Sequence, residues 1–419
     1  MNKKKFFIFL FLIPLTFQKN DYELLLEWGK NNSLEISSKL VMKYLNENNK
    51  TFYAKEKILK DEIILKIPHS ISLNIENALK LYGKKIKKLY KEFELECKKY
   101  KNNFICEQIF LSYIMYKLNK NNKKINNELY KYYQYLFNTY ESNLDSFPIF
   151  YTQKQLFLIQ FTSLFYSIDI MKKMYEGEIQ IFENDLKLKK INKDEYYVFR
   201  TLASSKSYNI SGHSFIVPFV DMFQKHPTKF NLRVLAVENE TSVISTRDIS
   251  PSEKLLINYE YLTNQNALTI FGITFDEIID KINTFHVPIL NPLLLKNHKI
   301  ETKKSDLQKY YSQYMDIEKD DFYKNFMKTY KKISFDLNKD KTGLSALKII
   351  LENLETLKEL NSDINYFIIY KSFYQQKDID NIIRIFKGEI QYINKKINLI
   401  KKVINEYENK KAYNNNNDL

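Results

Sequence analysis

VPFVDMFQKHP, residues 217–227, opens the stretch whose reading decides the fold. An apolar run, residues 214–220, leads into it, and Pro227 closes it. Two β-branched runs follow, LRVLAVE at 232–238 and SVISTR at 242–247. Asn239–Thr241 between them is a hairpin signal. Residues 255–259 (LLINY) make another short strand, and near Thr274 the pattern turns helical.

Working outward, residues 52–58 and 63–67 read as strands, with a turn at Lys60-Asp61 and Pro68 closing the second. Residues 21–30 and 34–45 alternate short helical and loop signals. From about Ile75 to Asn209 the pattern is helical, and 156–174 is apolar nearly all round, as a buried helix is. Past residue 274, Leu344, Leu347, Leu351, Leu354 and Leu357 mark one amphipathic helix. Ile379, Ile382, Ile383, Phe386, Ile390, Ile393, Ile397, Ile400 and Ile404 mark a longer one, with Asp378 as its expected N-cap. A polar tail with the Asn run 414–417 ends the chain, and no internal repeat is visible.

The order is therefore strands, a helical block, strands, then helix. It predicts an α+β fold whose β core is assembled from two separated pieces. The expected boundaries are an N-terminal segment 1–20, core pieces 21–80 and 201–275, a helical insert 81–200, a helical domain 276–410 and a tail 411–419.

At 419 residues, 44% hydrophobic and 27% charged, the chain can bury a large core and is not disordered in composition. Its 65 Lys and Arg exceed its 50 Asp and Glu by 15. The excess is spread along the chain and is mostly lysine, beside much Asn, Ile and Tyr but only 7 Gly, 8 Pro and 1 Trp. AT-rich codons account for that profile, so the charge carries no argument for nucleic acid, which is an unlikely partner. Two cysteines, Cys97 and Cys106, are too few for a disulfide framework or a multi-cysteine zinc site. In an oxidising lumen they could pair; free buried thiols fit equally. The five histidines show no paired ligand spacing, so no metal is expected.

Basic residues 1–5 precede the apolar run FFIFLFLIPLTF at 6–17, the shape of a secretory signal. The run is too short to span a bilayer, so no transmembrane helix is expected. No small-x-small cleavage site follows. Entry into the secretory pathway or an organelle, and otherwise a cytoplasmic location, both stay open.

Five short segments keep one order and spacing: residues 217–227, then TRDISPSE (246–253), INY (257–259), Thr263-Asn264 and Phe271-Gly272-Ile273. Together they resemble the VPLADMLNHS, ARDI-x-x-GE, ISY, SN and YGF segments of SET-domain methyltransferases, in the subfamily of Rubisco large-subunit methyltransferase. Leu26-Glu27-Trp28-Gly29 resembles the opening helix of that family, and Phe52–Ala54 with residues 63–73 resembles its first strand pair. The resemblance implies a SET-type β core split by a helical insert and followed by an all-α domain that binds a protein substrate. It also implies a protein methyltransferase with S-adenosylmethionine (AdoMet) as cofactor, lysine as the expected target and histidine as a known variant.

Such transfer needs a deprotonated amine held in line with a methylsulfonium in a dry site, and no metal. By the resemblance, Tyr259 is the catalytic tyrosine that orients the amine. Lys206, in place of an arginine, holds the AdoMet carboxylate without the bidentate fork. Tyr208 and Ile273 line the target tunnel. Gln224 and Lys225, in place of Asn-His, contact the adenine through their backbone, and Asp221 bonds local backbone. Asn48 and Lys50 belong to the cofactor loop, where both glycines are absent and Thr51 stands in for one of them. Two readings of these departures stay open: a live enzyme in which glycines drifted, or a catalytically weak SET-fold protein that serves as a partner-binding module.

Overall fold

The structure, a computed structural model, describes residues 21–46, 49–97, 102–120, 132–137, 144–159, 162–237, 239–258, 263–278, 287–288, 314–315, 348, 351–352, 354–356, 358–359 and 376–417. The signal-like run, Asn48, Tyr259 and most of the leucine-rich helix lie outside them. The chain divides into two compact units: residues 1–144 with 174–259, and residues 145–173 with 260–419. The segment 145–173, which the sequence pattern assigns to the insert, therefore groups with the C-terminal part of the chain.

In the first unit the two separated β pieces meet in one sheet. The strands are β1 (Glu35–Ile36), β2 (Leu40–Asn46), β3 (Asn49–Ala54), β4 (Ile63–Pro68), β5 (Ser207–Ile210), β6 (His213–Ile216), β7 (Gln224–His226), β8 (Leu232–Val237), β9 (Glu240–Ser245) and β10 (Leu256–Asn258). Six of them run in the order β1-β4-β9-β8-β10-β7. The β4–β9 pairing, Leu65 against Val243, joins residues far apart in sequence, and Leu65 and Val243 are both buried. The expected hairpin is β8–β9, with Val237 opposite Glu240. β10 runs parallel to both β8 and β7 and sets Ile257 opposite Lys225.

β2 and β3 form a separate antiparallel pair; β2 lies where the sequence suggested helix and loop, and β3 overlaps the strand expected at 52–58 but ends at Ala54. In β3 the buried residues are Thr51, Phe52 and Ala54, so strict alternation does not mark it, and it is the pairing with β2 that defines the strand. β5 and β6 form another pair, turned at Ser211 and Gly212 with φ of 52° and 85°. Positive φ at both turn residues gives the twist a tight hairpin needs. The helical reading to Asn209 is corrected here: the helix stops at Lys206 because Ser207 is extended and begins β5.

Among the described residues, the connection between β4 and β5 is mainly helical. It contains α2 (Ile75–Tyr82), α3 (Lys84–Cys97), α4 (Asn103–Lys120), helical residues 132–137, α5 (Gln153–Leu158), α6 (Ser163–Gln180) and α7 (Lys193–Lys206). α1 (Asp21–Asn31) precedes the sheet. The expected buried helix at 156–174 is split into α5 and α6. α4 is buried almost all round, from Glu107 to Tyr116, and a disulfide joins Cys97 to Cys106 across the α3–α4 connection. A buried ion pair anchors α7. Arg200 Nε donates to Glu178 Oε1 and Oε2 at 3.0 and 2.9 Å, Arg200 Nη1 donates to Gln108 Oε1 at 3.2 Å, and Tyr196 donates to Glu178 at 2.9 Å. Satisfied in this way, a buried charge pair holds its helix in one register.

The second unit packs α5, the first part of α6, α8 (Asn264–Phe271) and α9 (Gln376–Asn417). Leu164, Ile168, Leu268, Ile382 and Ile385 share its core. α9 carries the isoleucine stripe, but it begins two residues before Asp378. That residue is buried in the first turn rather than capping the helix. The helix also runs on through the Asn run to Asn417. Within 276–410 the described residues include one short ladder, β11 (Val287–Pro288) with β12 (Tyr314–Met315), so that region is not wholly helical.

Candidate functional site

The site assembles around Asp221 of the opening motif. Phe219, two residues before it, sits in the left-handed region at φ 66°, a conformation a non-glycine residue holds only when packing over-determines it. The packing is visible at Gly29. A Cβ there would lie 2.6 Å from Leu34 Cδ2 and 3.0 Å from the Phe219 ring. The Trp28-Gly29 pair of α1 is thus matched to the bend that aims Asp221.

Asp221 does not bond local backbone as expected. Its Oδ1 accepts from the Tyr132 hydroxyl at 2.8 Å, and its Oδ2 meets Lys206 Nζ at 3.5 Å. Tyr132 is fully buried and stacks on Trp28 with ring centres 6.0 Å apart. Burial, with the Asp221 charge and hydrogen bond adding to it, holds the Tyr132 phenol well above its ordinary pKa. Tyr132 has no sequence signal; it lies in the helical block, 89 residues before Asp221.

α7 and β5 bring Lys206 and Tyr208 to this carboxylate. Lys206 ends the helix, and Tyr208 is the second residue of the strand, opposite Phe215. The Tyr208 hydroxyl is buried with no hydrogen-bond partner among the described residues. Burial, and then the Asp221 charge, push its pKa far up, so it stays a neutral donor.

Lys225 comes from the edge strand β7. Its Nζ donates to the Ser205 carbonyl at 2.9 Å, at the end of α7. Burial pushes this amine well below the ordinary lysine range, and Lys206 adds to the effect while Asp221 opposes it. Lys225 is therefore less basic than an ordinary lysine. This was not legible in the motif, where only its backbone carried a role.

Gln224 N–H donates to Thr51 Oγ1 at 3.3 Å, which ties β7 to β3. Thr51 is fully buried and paired with Lys43 in extended β3. The glycine that the resemblance led us to expect there is not needed for backbone reasons. Lys50 lies in the same strand opposite Tyr44. Asn48 and Tyr259 fall outside the described residues; Tyr259 directly follows β10. Ile273 follows the Gly272 cap of α8 in the second unit, where it is half-buried. Lys206, Tyr208 and Lys225 are thus gathered on Asp221, Gln224 sits on the adjoining β3 contact, and Ile273 belongs to the other unit.

The remaining motif residues are structural. The Arg247 guanidinium pairs with the Glu253 carboxylate, which also accepts from Ser250 N–H at 3.1 Å and Asn231 Nδ2 at 3.1 Å. That pairing lowers the Glu253 pKa. Ser252, where the family has glycine, is at φ 66°. Thr263 caps α8, and Asn264 exchanges two hydrogen bonds with the Phe275 backbone, at 2.8 and 2.6 Å. Among the described residues no group of three or more His, Cys, Asp or Glu could hold a metal ion. No described helix is long and apolar enough to cross a membrane.

No family model and no curated protein matches the chain. Solved structures do. The SET domain of LSMT bound to lysine and AdoHcy matches with a TM-score of 0.63 at 12% identity, over 93% of this chain and 92% of that one. Rubisco LSMT bound to sinefungin and monomethyllysine matches with a TM-score of 0.63 at 13% identity, over 91% and 92%. Rubisco LSMT bound to AdoMet gives 0.63 at 13%, over 92% of each chain. The likeness is one of fold, so the chain has a mixed α/β, SET-like fold.

Proposed function

We propose that the chain is an AdoMet-dependent protein methyltransferase that acts on lysine side chains. One observation carries the reading: Lys206, Tyr208 and Lys225 converge on the buried Asp221 at the edge of a SET-like sheet. The structural neighbours are described with AdoMet, AdoHcy or sinefungin, and two of them with lysine or monomethyllysine.

The residues fit such a cofactor. The Lys206 side chain is 20% exposed and meets Asp221 at 3.5 Å, the long end of an ion pair. An ammonium has three donors, so a ligand carboxylate can share it. The Tyr208 hydroxyl is a buried donor in want of an acceptor. Thr51 is relaxed in extended backbone, so the absent glycine imposes no strain there.

Bound AdoMet supplies an electrophilic methyl group on a positively charged sulfur. The chain does the rest. Lys206 holds the carboxylate, and the outer edge of β7 at Gln224-Lys225 faces the adenine. Tyr208 walls the acceptor channel, and its phenol stays neutral beside the nascent charge. Tyr259, at the end of β10, orients the target amine so that its lone pair points at the methyl group. The second unit, with the amphipathic α9, presents the substrate protein. The Cys97–Cys106 disulfide together with residues 1–17 supports an oxidising compartment as the location.

The test is calorimetric titration of AdoMet into the full chain, followed by transfer of labelled methyl to candidate proteins. Micromolar binding is expected, and Tyr259→Phe should keep that binding and lose transfer. A folded chain that binds no AdoMet at millimolar concentration refutes the reading and leaves a SET-fold binding module.

A further inference from the structure

Tyr132 is a residue of the site that no motif marks. It comes from the helical residues 132–137, and its hydroxyl donates to Asp221 Oδ1 at 2.8 Å. Packing fixes its ring. The ring is fully buried, stacked on Trp28 with the planes 10° apart, and set edge-on to Tyr133 with centres 5.6 Å apart. The backbone of Asp221 is fixed as well. It lies in the short turn Val220–Met222, entered through Phe219 at φ 66° and closed by the Met222 N–H on the Phe219 carbonyl at 3.1 Å. A buried carboxylate anchored at its backbone and at one oxygen keeps its other oxygen in one place.

That other oxygen, Oδ2, faces Lys206 Nζ at 3.5 Å. A hydrogen bond between ammonium and carboxylate closes at about 2.7–2.9 Å, so this pair stops short of one. The gap matters for the ligand. Lys206 keeps its N–H donors for a ligand carboxylate instead of committing them to Asp221. Tyr132 supports the gap chemically. Among the described residues it is the donor to Oδ1, so that oxygen needs no second bond from an ammonium. Without the hydroxyl, Oδ1 is a buried carboxylate oxygen with no donor, which is costly. Lys206 already stands beside the carboxylate on a flexible four-carbon stem. It is then drawn onto Asp221 and away from the ligand.

We propose that Tyr132 is a positioning residue for cofactor binding: by holding Asp221 it keeps the Lys206 ammonium available to the carboxylate of the ligand. The proposal rests on the AdoMet reading above. In this role Tyr132 acts through Asp221 and Lys206 rather than on the ligand. Its effect therefore falls on ligands that carry the carboxylate and spares those that lack it.

The experiment measures, by calorimetry on the full chain and on Tyr132→Phe, the affinity for AdoMet and for decarboxylated AdoMet. The second ligand keeps the adenosine, the sulfonium and the amine and lacks only the carboxylate. Phenylalanine keeps the ring that stacks on Trp28. AdoMet affinity should fall about tenfold, the scale of one hydrogen bond to a charged group. Affinity for the decarboxylated ligand should change by less than about threefold, under the scale of such a bond. Equal losses for the two ligands mark a merely structural role and overturn the proposal, as does unchanged AdoMet affinity. Either result leaves the AdoMet reading intact. Absence of AdoMet binding by the wild-type chain overturns that reading, and this proposal with it.

Fluorescence of the single tryptophan, Trp28, stacked on residue 132, checks that the variant is folded. Should Tyr132→Phe not fold, Asp221→Asn with and without Tyr132→Phe decides instead, because the neutral amide removes the buried charge that the phenol satisfies. AdoMet affinities of these two proteins that agree within about twofold support action through Asp221, since residues coupled in one chain are not additive. A further loss on adding Tyr132→Phe overturns the proposal.

Discussion

Replacing Glu389 by glutamine should make the protein more stable at alkaline pH and change little at acid pH. Glu389 projects from α9 into the core of the second unit and is 2% exposed. Its Oε1 accepts the Ser163 N–H at 2.9 Å and also the Ser163 hydroxyl. Burial raises its pKa from 4.5 to about 7, against the pull of the Ser163 hydroxyl and the Ser163 and Leu164 N–H groups. The folded state therefore holds this proton more tightly than the unfolded chain does. Below the unfolded value the contribution is fully present; as pH rises through about 7 it is lost. The difference of about 2.5 units corresponds to roughly 3 kcal/mol of stability lost by pH 8.5, at about 1.4 kcal/mol per unit. Glutamine keeps an acceptor for Ser163 and cannot ionise. Any fixed cost of seating the amide is independent of pH, so the readout is how the difference between variant and wild type changes. Urea unfolding followed by helical circular dichroism at pH 4.5, 6, 7.5 and 8.5 measures it. The difference should grow by about 3 kcal/mol in favour of Glu389→Gln, with nearly all of the change between pH 4.5 and 7.5 and a plateau above it. A difference that stays flat across this range refutes the reasoning, because Glu389 would then be ionised in the fold at no cost.

Arg200→Met should destabilise the protein by about 3–5 kcal/mol by stranding the buried Glu178 carboxylate; adding Glu178→Leu should recover most of the loss in the same unfolding assay. Replacing Cys97 and Cys106 by serine should cost about 2.5 kcal/mol, the loop entropy of a crosslink spanning 9 residues, and should abolish any effect of reductant on the midpoint. Ser252→Gly should stabilise by about 0.5–1 kcal/mol, because glycine adopts φ 66° without the penalty serine bears; thermal unfolding reads it as a small rise in midpoint.

The local elements were legible because their signals are local. Alternation marks β8 and β9, Pro68 ends β4, and the isoleucine spacing marks α9. Pattern failed where a helical and an extended reading compete over a few residues. Residues 207–209 follow a helix without a breaker, and only pairing with β6 makes them a strand. Asp378 looks like a cap until the helix is seen to start at Gln376. The order of motif segments pointed to the SET-like fold at an identity of 11–13% with the solved relatives, because short spaced segments survive where overall composition drifts.

The sequence alone determined the kinds of elements, their order and the segments that carry the resemblance, since propensity, period and turn chemistry act over a few residues. Tertiary structure decided what those residues do. Asp221 reads as a turn residue, yet it gathers Tyr132 and Lys206 from 89 and 15 positions away. Lys225 reads as a residue that acts through its backbone, yet the path of α7 sets a carbonyl over its amine. Glu389 reads as one more charge on a helix, yet Ser163 meets it 226 residues away. Burial and long-range pairing set the charge state of each group, and both depend on where the chain returns, which no local window contains.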